Sequence, residues 1–227
     1  IINIESYYQS RGKIFLCYII FMKKVLCFGD SNTYGFNPSD GSRYSKDVRW
    51  CGRLKTLGFE KFEVVEAGCN NRTAFCDNPQ GIDFTGYKAI EKYFGEHFDL
   101  IVLAIGVNDI QKNYNVSVED FEKGLESFVN LVKTSFSNSK ILLVAPSNLK
   151  KVILQSYFGA LFDENSIEKS LKLSEIYKKV ARISGCEFID LNEVTEASDI
   201  DGLHYTEEQH EKISHAVFQK ICKIICD

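Results

Sequence analysis

A serine, a histidine with a nearby carboxylate, and two short clusters of glycine and asparagine are the residues of this chain that could support covalent chemistry. The serine lies in Gly29-Asp30-Ser31-Asn32-Thr33, where small and polar residues abruptly replace the apolar run Val25 to Phe28. Such a switch marks a buried strand ending at a sheet edge. Ser31 there is a candidate nucleophile, and it also reads as a turn or helix N-cap. A hydroxyl needs a base to become a useful nucleophile. Of the four histidines, His204 is the one in a loop at a predicted sheet edge with a carboxylate close in sequence, Asp201. His97, His210 and His215 fall on predicted helices and read as structural or surface residues.

In such a set, Asp201 would accept from the histidine Nδ1–H, which leaves Nε2 facing the serine and stabilises the imidazolium formed during attack. Attack on an acyl carbon creates an oxyanion, and donors must already point at it. Gly68 ends an apolar run and lets a backbone N–H approach closely. Asn108, in Gly106-Val107-Asn108-Asp109, offers a side-chain amide, and the Ser31 amide supplies a third donor. Taken singly, Gly68 is an ordinary strand-end glycine and Asn108 an ordinary turn residue.

The elements that must position these groups follow from hydrophobic periodicity. Compact apolar runs predict strands at Val25 to Phe28, Phe62 to Ala67, Leu100 to Ile105, Ile141 to Ala145 and Cys186 to Leu191. Helical spacing predicts helices at Asp47 to Leu57, Tyr87 to His97, Ser117 to Thr134 and Ser166 to Ile183, with a last one after the Thr206 and Gln209 capping box. Residues 147 to 164 read as an irregular segment carrying Tyr157, Phe158 and Phe162, suited to a pocket wall, an oligomer contact or core packing. Strands alternating with helices predict a three-layer α/β/α sandwich around a five-stranded parallel sheet. Ser31, Gly68, Asn108, Asp201 and His204 then meet at one sheet edge, where open α/β sheets place ligands.

The 227 residues carry 27 Lys and Arg against 31 Asp and Glu, a formal charge of −4 without long runs. That balance offers no nucleic-acid footprint and no basic membrane patch. Eight cysteines include no Cys-x-x-Cys pair, and they read as reduced thiols in a cytoplasm. Cys222 and Cys226, with His210 and His215 upstream, lack the tight ligand pairs of a zinc site. No metal and no cofactor is expected, and the glycine-rich cradles of dinucleotide and NTP sites are missing. The chain's one methionine, Met22, precedes the first strand. Residues 1–21, with the eight-residue apolar run Ile14 to Phe21, are expected to be an extension or misplaced start outside a single domain spanning 22–227. That run is too short to span a bilayer, and a secretory signal is the other reading.

Taken in order, Gly29-Asp30-Ser31, Gly68, Gly106-x-Asn108-Asp109 and Asp201-x-x-His204 resemble the SGNH hydrolases, the GDSL-type esterases and lipases. The resemblance covers Lys23 to the C-terminus and implies a flavodoxin-like fold. It implies Ser31 as nucleophile, His204 as base and then acid, Asp201 as its orienter, and Ser31, Gly68 and Asn108 as the oxyanion hole. Cys27-Phe28-Gly29-Asp30-Ser31, Asp47-Val48-Arg49-Trp50, Glu66-Ala67-Gly68 and Arg72-Thr73 look most like the bacterial arylesterase and acyltransferase branch. That branch implies hydrolysis of small-molecule esters with short acyl chains through an acyl-enzyme, a homo-oligomer, and an acyl pocket shaped by residues 147 to 164. A thioesterase or lysophospholipase, a carbohydrate O-deacetylase, and an inactive binding or scaffolding protein are the other expectations. The chain departs from the motif at Asn32, where the family has leucine.

Overall fold

Aliphatic runs become strands in the computed structural model, which describes residues 22–226 and the short antiparallel pair Gln9–Ser10 and Lys13–Ile14. The expectation for residues 1–21 otherwise lies outside the described residues. The five predicted strands are β1 (Lys23–Gly29), β2 (Phe62–Gly68), β3 (Leu100–Ala104), β4 (Lys140–Ala145) and β5 (Glu187–Asp190). They form one all-parallel sheet in the order β2-β1-β3-β4-β5. The winding direction reverses between β1 and β3, which opens a crevice at their carboxyl ends. Gly29 pairs with Gly68 on one side and with Ala104 on the other, so these three strands finish level.

Successive side chains of a strand point to opposite faces, and each face here has its own core. Leu26 and Phe28 of β1, Ile101 and Leu103 of β3, and Ile141 and Leu143 of β4 pack under α4 (Val118–Ser135) and α5 (Glu164–Ser184). Val25, Cys27, Leu100, Val102, Leu142 and Val144 face the other way, under α2 (Trp50–Leu57) and α6 (Glu207–Ile221). The fold is therefore the expected α/β/α sandwich.

Caps read from sequence hold these helices in place. Ser117 accepts from the Asp120 amide at 3.0 Å, and Gln209 accepts from the Thr206 amide at 2.7 Å. Gly185 closes α5 at φ 64°, a conformation that glycine adopts without strain. Two predicted helices differ. α2 begins at Trp50 rather than Asp47, because Val48 and Arg49 bond back to the Ser45 carbonyl in a preceding turn. The helix expected at Tyr87 to His97 is only α3 (Gly86–Ala89) and a 3-10 turn, Ile90–Tyr93. Gly95, at φ 85°, turns the chain there and leaves His97 exposed in a loop. Among the described residues, no helix is long and apolar enough to cross a membrane.

Candidate active site

Ser31 begins α1 (Ser31–Tyr34), a single turn that follows β1 after one residue. So tight a reversal needs a bare backbone at Gly29, where a Cβ would collide with the Thr33 hydroxyl and the Ala104 carbonyl. The cap function belongs to Asp30 rather than Ser31: its carboxyl accepts from the Asn32 amide at 2.9 Å. Ser31 is the first helical residue and its hydroxyl is left to reach outward. Burial raises the Asp30 carboxyl to about 7, although the Asn32 amide and the Arg72 guanidinium partly offset it.

The hydroxyl meets a base. Ser31 Oγ lies 2.8 Å from His204 Nε2, and His204 Nδ1 lies 2.6 Å from Asp201 Oδ2. Asp201 Oδ1 accepts from the amides of Leu203 at 3.0 Å and His204 at 2.9 Å, and from the Ser198 hydroxyl at 3.2 Å. Burial pushes the Asp201 carboxyl up, yet the hydrogen bonds and charge of His204 outweigh it and hold the group below its usual range. An anion so placed fixes the histidine tautomer with Nε2 toward the serine. The His204 ring packs against Phe36, at 4.3 Å between centroids, and Phe158, at 4.9 Å, two rings that also meet each other at 5.8 Å.

The expected oxyanion donors are placed differently from one another. Ser31 and Asn108 line one cleft of about 370 Å³ with His204, Phe36, Asn70, Asn71, Gln80, Tyr157, Phe158, Leu161 and Leu203. Gly68 is not among its lining residues. It packs under α1, where a Cβ would run into the Tyr34 nitrogen and the Thr33 carbonyl carbon. Of the segment after β4, Tyr157, Phe158 and Leu161 wall the cleft while Phe162 is buried in the core, so the pocket-wall and core-packing readings each hold in part.

Several supporting residues had no role assigned from the sequence. Arg72 is 2% exposed and bonds the carbonyls of Gly29 at 3.1 Å, Ala67 at 2.6 Å and Asp83 at 2.7 Å, tying the ends of β1 and β2 together. Asp109 accepts from the amides of Ala74, Phe75 and Cys76 at 2.6–3.0 Å, and burial raises it to about 6. Both stand inside motif clusters, and that position was the signal available. Phe36 carried no signal, since its contact with His204 is purely tertiary. The remaining histidines stay apart: His210 is buried against Trp50, and His215 lies exposed 3.9 Å from Glu211. Among the described residues, no group of three or more His, Cys, Asp or Glu is placed to hold a metal ion.

Residues 27–212 match the GDSL-like lipase/acylhydrolase family. No curated protein matches the chain. One solved chain superposes with a TM-score of 0.84 at 37% identity, over 91% of this chain and 100% of its own. The aryl esterase of M. smegmatis is 29% identical with a TM-score of 0.81, covering 89% of this chain and 99% of its own. A carbohydrate acetylesterase from Sinorhizobium meliloti is 28% identical with a TM-score of 0.81, covering 88% and 99%. With this sheet and these motif residues gathered at its switch point, the chain belongs to the GDSL-like lipase/acylhydrolase family of SGNH hydrolases and is an ester-hydrolysing enzyme.

Proposed function

We propose that the enzyme hydrolyses carboxylic esters of short acyl chains through a covalent acyl-enzyme, with Ser31, His204 and Asp201 as its triad. The contiguous hydrogen-bonded line from Ser31 Oγ through His204 to Asp201, opening on the cleft, is the observation that carries this reading. Ser31 Oγ attacks the ester carbonyl while His204 Nε2 takes its proton. Asn108 Nδ2 and the Ser31 amide bind the developing oxyanion, and Gly68, packed under α1 outside the cleft, is left out of that set. The alkoxide leaves with the proton from His204. Water then attacks the acyl-enzyme, gives its proton to His204, and releases the acid and free Ser31.

A short acyl group suits the walls, because Phe36, Phe158 and Leu161 crowd close to His204. The rim favours a second reading of the leaving alcohol. Asn70, Asn71 and Gln80 line the same cleft, and the Asn70 Oδ1 is buried without a partner. Amides facing aromatic rings can bind a hydroxylated alcohol such as a sugar, so an acetylated carbohydrate belongs with simple aryl esters as a substrate class.

The same reading includes residues 22–227 as one hydrolase domain and a reducing, cytoplasmic setting. Cys27 and Cys51, both free thiols buried in the core, fit the latter. An assembly of identical chains fits the exposed Tyr157 at the cleft mouth. The test is turnover of p-nitrophenyl esters of increasing acyl length beside acetylated sugars, for wild type and Ser31→Ala. Activity highest on acetyl esters and abolished in a folded Ser31→Ala protein is expected. Wild-type turnover by that variant would refute the triad, and a preference for long chains would refute the short-acyl assignment.

A further inference from the structure

The amide of Asn108 serves the proposed oxyanion hole only if its nitrogen end faces the reacting carbonyl. A primary amide carries donors on one end and an acceptor on the other in nearly the same shape, so a flip would present an oxygen to an oxyanion. Two contacts decide the orientation. Asn108 Nδ2 donates to the Arg72 carbonyl at 3.0 Å, and Asn108 Oδ1 accepts from Gln111 Nε2 at 2.9 Å. Flipping would set donor against donor at Gln111 and acceptor against acceptor at Arg72.

Gln111 is itself an amide, so its orientation also needs a cause. Its Nε2 donates a second time, to Asn71 Oδ1 at 2.8 Å. Asn71 Nδ2 in turn donates to Gln80 Oε1. Asn71 holds a left-handed backbone, φ 57°, and both it and Gln80 line the cleft. The line Gln80, Asn71, Gln111, Asn108 therefore runs from the cleft rim to the oxyanion donor, and the polarity of each amide sets the next. Local geometry makes the last link: residues 107–110 form a 3-10 turn that Gln111 caps, its amide donating to the Asn108 carbonyl at 3.3 Å and keeping the two residues together. Gln111 is 1% exposed and Asn108 3%, so water does not replace a lost contact cheaply.

We infer that Gln111 is a positioning residue that orients the Asn108 amide for oxyanion stabilisation. The inference rests on the proposed role of Asn108. Gln111→Glu replaces the donor by oxygens facing two amide oxygens, and Gln111→Met removes it at similar volume. Each is expected to lower kcat on p-nitrophenyl acetate roughly 10- to 100-fold with KM changed by less than about twofold, a smaller loss than deleting an oxyanion donor outright. A double-mutant cycle separates this from a structural role. In an Asn108→Ala background, adding Gln111→Met should lower kcat by no more than about twofold, because the group it positions is gone. Thermal melting checks that each protein is folded. Wild-type kcat in a folded Gln111→Met protein overturns the inference, as does a loss that multiplies in the double variant. An Asn108→Ala protein with wild-type kcat would instead overturn the oxyanion assignment on which the inference rests.

Discussion

Asn32 Nδ2 donates to the Leu203 carbonyl at 3.3 Å, joining segments 171 residues apart. The residues adjoining this contact are Ser31, just before Asn32, and His204, just after Leu203, so the bond runs beside the hydroxyl–imidazole contact and spans the same gap. Trp50 Nε1 steadies the other face of the turn by donating to the Asn32 carbonyl at 3.0 Å. Where the family motif carries leucine, this chain has built a polar brace between the serine turn and the histidine loop.

Asn32→Ala removes that brace and leaves the Leu203 carbonyl short of a donor. Stability should fall by about 1 kcal/mol, and kcat by about tenfold or more, because small misplacements of reacting groups are costly. Urea melts and steady-state kinetics measure both. A variant that loses stability and keeps wild-type kcat would show that Asn32 serves the fold and not the alignment.

Asp201→Asn keeps the shape of the side chain but no longer holds His204 in the required tautomer. A drop in kcat of about 10⁴-fold is expected with KM little changed. Because His204 and the surrounding amides hold the Asp201 carboxyl below its usual range, wild-type activity should show no loss from its titration between pH 5 and pH 8. A variant within tenfold of wild type would remove Asp201 from the triad.

Phe158 packs against the His204 ring at a tilt of 59° and walls the cleft. Phe158→Ala should widen the acyl site, and each added methylene that finds apolar cover is worth up to about 0.8 kcal/mol. The ratio of kcat/KM for a hexanoyl over an acetyl ester should rise several-fold. An unchanged ratio would place the acyl chain elsewhere.

His210 is fully buried, accepts from the Trp50 amide at 3.3 Å, and burial lowers it to about 3. The folded protein therefore keeps it neutral while the unfolded chain binds a proton below about pH 6.5. Its share of stability is complete above that pH and is lost as pH falls toward 3. His210→Asn should be destabilised at pH 7, and its deficit against wild type should shrink by about 1–2 kcal/mol at pH 5. Calorimetry at the two pH values measures this; a constant deficit would contradict the neutral, buried state.

Asp30 has the opposite sign. Its folded value of about 7 lies above that of the unfolded chain, so the stability tied to its proton is complete below about pH 4 and is lost as pH rises to about 7. Asp30→Asn keeps an acceptor for the Asn32 amide and carries no charge. Its stability relative to wild type should improve by about 2 kcal/mol between pH 5 and pH 8. No change across that range would mean that Asp30 stays ionised in the folded protein.

Strand positions, the Ser117 and Thr206 caps and the Gly185 stop were legible in the chain because each rests on local spacing or on a residue type with one backbone preference. The helix placed at Tyr87 to His97 was not, since helical periodicity there could not weigh the turn at Gly95 against propensity. Sequence by itself determined which side chains could do chemistry and that they stand at strand ends. Only the tertiary structure decided that Gly29, Gly68 and Ala104 finish level, that Asp30 and not Ser31 takes the cap, and that Phe36 and Phe158 pack against the His204 ring. It also decided the polarity of the Asn108 amide, whose nitrogen donates to the Arg72 carbonyl and whose oxygen accepts from Gln111. The physical reason is that hydrogen-bond register and amide polarity are set by partners far away in sequence, whereas periodicity and capping are settled within a few residues.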